Sequence, residues 1–582
     1  MNLSTTIKSI QDIMRKDDGV DGDAQRIGQL AWMLFLKIFD QCEEGWEDDA
    51  RGRDKSYRSA IPDDCRWRNW AAFKDGKAQT PATEIIALVN NTVFPTLKEL
   101  PVRGDPRVRV VREVFADANN FMKSGSLMLG VIEKLDEAID FRDIKKRGQL
   151  GDIYEQILND LRSAGNAGEF YTPRALTEFM VDRVDPRLDR RETVLDPACG
   201  TGGFLTASIA HFEQQLPSDA DPDDRRAIAD CIRGIEKKQL PHLLCTTNLL
   251  LHGIEVPSMI EHANTLAKGW ADWPESERAD CVITNPPFGG MEDEATGDDY
   301  PLQTRDTADM FIALIVDKLL KEHHGRAAVV LPDGFLFGDG IKGRIKEDLL
   351  AKCHLHTVVR LPNGVFNPYT GIKTNLLFFT RGRPTDSIWF YEHRYPQGVK
   401  SYSKSKPLRT EELKPIAAWW GREADGFKDR TESDLAWRVD FKALKEAAIT
   451  KAQPHWDQAQ EFNKEAAAFN EQAKALRASF RGETDPIQRQ PVDDQLAELT
   501  EAIERLRGQA KDAQAAGDRH YWPIYNLDIK NPKVPEEEIH DPDVLLAKYK
   551  QLLAEIETTQ SQLRDELAAV LAHRFETEAA GQ

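Results

Sequence analysis

The sequence predicts an α/β fold in which a mostly parallel sheet is flanked by an α-helical N-terminal domain and a C-terminal helical tail. From about residue 150 to about residue 400, short β-branched runs alternate with longer helical stretches, as in parallel strands joined by helical crossovers. On both sides of this region, apolar residues recur at helical spacing without strand-like alternation. For a chain of 582 residues we therefore predict domains over 1–150, 151–440 and 441–582.

The N-terminal domain is predicted to be helical because Ile27, Leu30, Leu34 and Ile38 recur at steps of three and four residues. The seven cysteines of the chain are scattered without a Cys-x-x-Cys pair, which indicates free thiols in a reducing compartment. The start resembles no signal peptide, and no apolar run is long enough to cross a bilayer. We therefore expect a cytoplasmic protein with no membrane contact.

Six short runs are predicted to form strands of the sheet, and a glycine-rich loop with the sequence DPACGTGGF follows the first of them. In this loop, glycines let the backbone and the first N–H groups of the next helix approach a ligand closely. The loop matches neither the triphosphate P-loop nor the dinucleotide fingerprint. The predicted strands are Thr193–Leu195, Cys231–Ile235, Asp280–Thr284, Arg326–Leu331, His356–Arg360 and Thr374–Phe379.

Two acidic residues and an upstream turn accompany the loop. Asp196 is the first residue of the quoted segment and precedes its glycines. A carboxylate at this position suits a cationic ammonium group better than a pyrophosphate. Glu236 ends the second strand, where a carboxylate can accept hydrogen bonds from both hydroxyls of a ribose. Upstream, two adjacent aromatic residues precede Thr172 and Pro173, which are predicted to be the N-cap and the first residue of a helix. These residues favour a nucleoside ligand.

The sequence Asn285-Pro286-Pro287-Phe288 directly follows the third predicted strand. Its prolines stiffen the turn and carry no backbone N–H, so the carbonyl groups are presented as acceptors. The Asn285 side-chain oxygen and the Pro286 carbonyl then suit the two hydrogens of a planar amino group, and Phe288 offers a face for a stacked base. Two such acceptors favour a pyramidal, electron-rich nitrogen, which attacks an electrophilic methyl group directly. No covalent enzyme intermediate is needed.

The glycine loop combined with the Asn-Pro-Pro-Phe motif resembles S-adenosylmethionine-dependent DNA amino-methyltransferases, in particular the adenine-N6 group. More narrowly, the chain resembles the modification (M) subunits of type I restriction–modification systems over nearly its whole length. This resemblance implies a Rossmann-like methyltransferase sheet and methylation of the N6 amine of adenine in a specific DNA sequence, with S-adenosylmethionine as the cofactor. Further matching stretches are residues 34–40, 168–174, 328–334, 361–366 and 526–532.

The resemblance also implies the residues of the site. Asn264 occupies a position where many methyltransferases carry Asp near the cofactor adenine, so it can form a hydrogen bond there but brings no charge. No metal site is predicted. The catalytic residues implied are Asn285, Pro286, Pro287 and Phe288. The cofactor-binding residues implied are Glu169, Phe170, Tyr171, Thr172, Pro173, Arg174, Asp196, Gly200, Thr201, Gly202, Gly203, Glu236 and Asn264.

The partners implied by the resemblance are a DNA specificity (S) subunit, a restriction (R) subunit in the full complex and double-stranded DNA with a flipped adenine. The family pairs two M subunits with each S subunit. The formal net charge of −20 argues against a broadly basic surface that binds DNA unaided. A heptad seam from Leu545 to Val570 predicts an amphipathic helix that either packs on its own domain or docks on a partner.

Three other functions stay open at this point. A stand-alone DNA adenine methyltransferase would need a target-recognition domain, which the helical ends do not resemble. A non-catalytic interaction subunit with a cofactor fold would have no need of the intact motif at 285–288. Methylation of a protein glutamine or of ribosomal RNA uses a similar Asn-Pro-Pro motif, but the length of the chain and its helical flanks disfavour it.

Overall fold

A computed structural model gives the fold in two compact units, Met1–Ile529 and Lys530–Gln582. No helix of the described residues combines the length and the hydropathy needed to cross a membrane. The residues described are 3–138, 154, 171–220, 222–367, 370–403, 406–481, 486–533, 546 and 549–565.

Residues 3–138 are helical, as predicted. The longest of these helices is buried on all sides over Gln29–Asp40, and its buried residues include the four apolar residues of the predicted period, from Ile27 to Ile38. Its apolar residues form one core with those of its neighbours, and this core also receives Tyr154, Leu243 and Leu244. The helices in this range are α1 (Leu3–Met14), α2 (Asp23–Gly52), α3 (Trp67–Trp70), α4 (Ile85–Leu88), α5 (Phe94–Lys98), α6 (Pro106–Phe115) and α7 (Gly125–Ala138).

The described part of the chain contains one nine-stranded sheet in the order β3-β2-β1-β4-β5-β7-β6-β8-β9. Its first five strands in this order are parallel, and β7 lies antiparallel between β5 and β6. The mostly parallel sheet is therefore confirmed. The strands are β1 (Val194–Asp196), β2 (Ile232–Glu236), β3 (Ile260–His262), β4 (Cys281–Thr284), β5 (Arg326–Pro332), β6 (Cys353–Arg360), β7 (Thr374–Arg381), β8 (Ser387–Glu392) and β9 (Ala436–Asp440).

Each of the six predicted strand segments lies within or overlaps an observed strand, whereas β3, β8 and β9 were not predicted. β3 has only three residues and exposes Glu261, and β9 at the other edge buries its first two residues but exposes Arg438 and Asp440. Neither therefore shows the continuous apolar run of a central parallel strand.

Helices cover both faces of the sheet. Adjacent residues of β5, Val329 and Val330, belong to different hydrophobic clusters, because successive side chains of a strand point to opposite faces. The helices of this region are α8 (Arg174–Val184), α9 (Gly203–Glu213), α10 (Pro222–Cys231), α11 (Gln239–Leu251), α12 (Glu294–Asp298), α13 (Thr307–Leu314), α14 (Asp333–Phe337), α15 (Ile341–Lys352) and α16 (Thr410–Trp419).

Two long helices, α17 (Phe441–Ser479) and α18 (Pro486–Tyr521), pack against each other. α17 buries alanines at seven-residue intervals from Ala452 to Ala473, and these small side chains permit a close approach of α18. The chain then returns to the sheet, where Leu527 is buried in the core. Within the second unit, residues 549–565 are helical.

Candidate active site

A cavity of about 590 Å³ opens where β1, β2 and β4 end. The carboxyl ends of these parallel strands meet at one edge of the sheet, so the loops that follow them form the walls of the cavity. The structure thus brings together most of the predicted site residues in one place. Those that line the cavity are Tyr171, Thr172, Asp196, Gly200, Thr201, Gly203, Glu236, Asn264, Asn285, Pro286, Pro287 and Phe288.

The glycine loop owes its shape to two residues with positive φ, Gly200 at 53° and Gly202 at 83°. Gly202 is the N-cap of α9, and a Cβ atom placed on it would lie 2.8 Å from the Cys245 Sγ atom. Gly202 does not itself line the cavity. It instead allows the loop to pass close to α11, so that Thr201 and Gly203 face the ligand space.

Glu236 is held in a fixed orientation by two backbone groups. The N–H groups of Gly200 and Lys238 donate to Oε2 at 2.9 Å and to Oε1 at 2.7 Å, respectively. The Glu236 carboxyl is buried, and this desolvation raises its pKa. Each oxygen keeps a lone pair, so a pair of hydroxyl groups in the cavity can donate to this carboxylate.

Asp196 is the most deeply buried acid of the cavity, with 1% of its surface exposed. Burial raises the pKa of Asp196 to about 7. Its Oδ1 accepts a hydrogen bond from the backbone N–H of Ala198 at 3.1 Å. A cation bound beside this carboxyl would stabilise the ionised form, which burial alone disfavours.

Asn285 lines the cavity and carries an unpaired acceptor. Its Nδ2 donates to the Thr172 Oγ1 at 3.1 Å, which orients the amide. Its Oδ1 is buried and has no hydrogen-bond partner among the described residues. A buried acceptor of this kind costs about 1–3 kcal/mol when it is left unpaired, so the arrangement favours a ligand that donates to it. The turn is fixed from outside by Thr307, whose hydroxyl donates to the Pro287 carbonyl at 2.9 Å.

Two aromatic rings line the same cavity as Asn285. Phe288 and Phe366 lie with their ring centroids 6.4 Å apart and their planes at 83°, and both line the cavity. Phe366 was not assigned to the site from the sequence, although it belongs to a stretch that carried the resemblance. It follows β6, which ends at the same edge of the sheet, and that position was the available signal.

Residues 145–465 match the family described as N-6 DNA Methylase, and residues 3–135 match the family described as HsdM N-terminal domain. The chain belongs to the N-6 DNA methylase family. It is therefore a DNA methyltransferase that uses S-adenosylmethionine as its methyl donor.

Relatives of this methylase are named as subunits of type I restriction enzymes. It is 47% identical to the type I restriction enzyme EcoEI methylase subunit of Escherichia coli, over 98% of this chain and 99% of that protein. It resembles a modification subunit of a putative type I restriction enzyme from Vibrio vulnificus YJ016, with 40% identity and a TM-score of 0.66 over 76% of this chain and 93% of that one.

A further structural relative comes from work on complex assembly and conformational transition of the type I R-M system. It is 30% identical, with a TM-score of 0.70 over 97% of this chain and 98% of that one. These similarities place the methylase among the M subunits of type I systems.

The upstream segment of the methylase differs from its prediction. Helix α8 begins at Arg174 with Pro173 as its N-cap, so the assignment of Thr172 as the N-cap was wrong. Pro173 has an extended ψ of 133°, which delays the helix by one residue, and Thr172 instead accepts from Asn285. Pro173 and Arg174 do not line the main cavity, but Arg174 lines a smaller pocket beside it. Glu169 and Phe170 lie outside the described residues.

Proposed function

We propose that this methylase transfers a methyl group to the N6 amine of adenine in a specific DNA sequence, as the catalytic subunit of a type I restriction–modification complex. The observation that carries this proposal is the buried, unpaired Asn285 Oδ1 at a cavity that Phe288 and Phe366 also line. An aromatic amine stacked in that space donates directly to the open acceptor. The glycine loop and Glu236 line the same cavity, so the methyl donor and the acceptor base share it.

The cofactor part of the cavity fits a nucleoside that carries an amino-acid group. The Glu236 carboxylate receives both ribose hydroxyls, and Asp196 with the loop from Gly200 to Gly203 surrounds the positively charged end. S-adenosylmethionine supplies an electrophilic methyl group on its sulfonium. Tyr171 and Thr172 form the adjoining wall, and the resemblance extends this wall to Glu169, Phe170, Pro173 and Arg174.

The target adenine must leave the duplex to enter the cavity. Phe288 then stacks on a face of the base, while Asn285 Oδ1 and the Pro286 carbonyl accept the two hydrogens of its amine. These acceptors localise the nitrogen lone pair and direct it toward the cofactor. After transfer the nitrogen is cationic, so it loses a proton readily without a dedicated general base.

Sequence recognition is assigned to a partner S subunit, with two M subunits per S subunit and an R subunit in the full complex. The net charge of −20 fits a subunit with weak intrinsic affinity for DNA. In the second unit, the seam exposes large apolar side chains that suit docking on another helix, since Leu552, Ile556 and Leu563 are 49%, 51% and 67% exposed. Leu545, Leu567 and Val570 of the same seam lie outside the described residues.

We place the protein in the cytoplasm, where its DNA substrate is found. All seven cysteines are in the described part of the chain and are free thiols, which agrees with a reducing compartment.

The assay that tests this function follows labelled methyl groups from S-adenosylmethionine into duplex DNA, with and without the S subunit encoded beside this chain. We expect incorporation at adenine N6 with the S subunit present and little without it. Incorporation into protein or RNA, or none into DNA in the presence of the S subunit, would contradict the proposal. Equal incorporation without the S subunit would favour the stand-alone alternative.

A further inference from the structure

The end of the cavity nearest β3 contains a carboxylate that the mechanism above does not use. Glu292 follows the catalytic turn and lines the cavity together with Asn264 and Lys237. The Asn264 Nδ2 donates to Glu292 Oε2 at 3.2 Å, and the Lys237 Nζ donates to Glu292 Oε1 at 3.0 Å. The segments that follow β2, β3 and β4 are therefore joined around this one carboxylate.

Asn264 has limited capacity to act as an acceptor itself. Its Oδ1 already accepts the backbone N–H of Leu266 at 3.2 Å, as the cap of the short turn that starts at Thr265. Its amide hydrogens face Glu292. The hydroxyl of Thr265 is directed to the carbonyl of Pro197 at 2.5 Å. Both side chains are neutral, so neither offers a charged acceptor to a ligand.

Glu292 does offer a charged acceptor to a ligand. Its side chain is 11% exposed, so it is largely shielded from water. An ionised carboxylate has about four acceptor sites, and Asn264 and Lys237 occupy only part of them.

The order of the strands indicates which part of the cofactor reaches this carboxylate. A nucleoside held by its ribose at β2, with its 5′ substituent directed toward β1 and β4, must direct its base toward β3. There Leu266 and Phe311, 2% and 4% exposed, provide apolar surfaces at the cavity wall. The polar edge of adenine carries one strong donor, its 6-amino group.

We infer that Glu292 accepts a hydrogen bond from the 6-amino group of the cofactor and so selects an adenine nucleoside. This inference rests on the proposed cofactor site around Glu236. It assigns to Glu292 the negative charge that Asn264 does not bring, and it makes Asn264 a positioning residue that orients the carboxylate.

The test compares two ligands by calorimetry: S-adenosylhomocysteine, and S-inosylhomocysteine, whose 6-oxo group accepts where the amine donates. We expect the wild-type protein to prefer the adenosyl ligand at least about tenfold, since the inosyl ligand leaves Glu292 facing another acceptor. Glu292→Gln should reduce this preference to less than about threefold. The exposed Glu294, which does not line the cavity, supplies the matched control Glu294→Gln, with the wild-type preference expected.

A double variant reverses the two groups. Asn264→Asp with Glu292→Gln places the carboxylate on residue 264 and the amide on residue 292, so the pair still contains one carboxylate acceptor and one amide donor. We expect it to recover a preference of at least about fivefold. This variant also serves as the test if Glu292→Gln alone proves unstable in thermal melts.

The outcomes separate this inference from the function on which it rests. If the wild-type protein binds neither ligand, the proposed cofactor site is wrong. If it prefers the adenosyl ligand but Glu292→Gln shows the same ratio of affinities for the two ligands, Glu292 does not recognise the 6-amino group. If Glu292 only supports the fold of the site, Glu292→Gln would weaken the binding of both ligands equally and leave the ratio of their affinities unchanged. That result would also overturn the inference.

Discussion

Replacing Glu236 by Gln tests how the cavity holds the ribose. In the wild-type protein, both carboxylate oxygens are already oriented by backbone N–H groups, Gly200 at 2.9 Å and Lys238 at 2.7 Å. A glutamine side chain has one acceptor oxygen, so its amide hydrogens would face either one of these N–H groups or the ribose hydroxyls. The substitution therefore removes a charged acceptor without changing the size of the side chain.

The expected magnitude follows from the kind of bond that is lost. A hydrogen bond to a charged group contributes about 1.5–3 kcal/mol, which corresponds to an increase of about 10- to 150-fold in the Kd of S-adenosylhomocysteine. The strand β3 offers a matched control in Glu261→Gln, because Glu261 is exposed and does not line the cavity. Isothermal titration calorimetry measures both variants. A Kd for Glu236→Gln within threefold of the wild-type value would refute the ribose assignment.

Three further predictions test the loop, the buried acid and the docking seam. Gly202→Ala should reduce both the melting temperature and cofactor affinity, because its Cβ would lie 2.8 Å from the Cys245 Sγ at a φ of 83°; an unchanged Kd would show that the loop adapts. Burial raises the pKa of Asp196 to about 7, so the folded apoprotein retains a proton that the unfolded chain loses above about pH 4. The free energy of unfolding should therefore fall as the pH rises from about 4 to about 7. Thermal melts of Asp196→Asn should show a smaller fall, and equal slopes would contradict this pKa. Ile556→Asp with Leu552→Asp should abolish co-purification with the S subunit while S-adenosylhomocysteine binding stays within twofold; retained co-purification would remove the seam from the interface.

The glycine loop could be predicted from the sequence because its determinants are local. Only glycine adopts the positive φ of positions 200 and 202 at low cost, and the loop lies between a β-branched run and a helix. The Asn-Pro-Pro-Phe turn could also be predicted from the sequence, because proline fixes φ and removes a backbone donor in any surroundings.

The rest of the site depends on contacts between residues that are distant in the chain. Thr172 looked like a helix cap, but its hydroxyl accepts instead from Asn285, 113 residues later. The pairing of Asn264 with Glu292 and the position of Phe366 beside Phe288 depend on how the strand ends meet, which no local pattern encodes. The edge strands β3 and β9 were missed because neither is buried along its whole length.

The most direct test of the account is Asn285→Ala, measured as methyl transfer to duplex DNA in the presence of the S subunit. The variant removes the unpaired acceptor, and cofactor binding should stay within about threefold of wild type because, in the described part of the chain, Asn285 forms no hydrogen bond with Glu236 or the glycine loop. The exposed Asn119, changed to Ala, serves as the matched control. The account predicts that Asn285→Ala loses about a hundredfold to a thousandfold in transfer rate, as expected when a group that acts on the reacting nitrogen is removed. Transfer at a near wild-type rate would contradict the assignment of this cavity as the adenine methylation site.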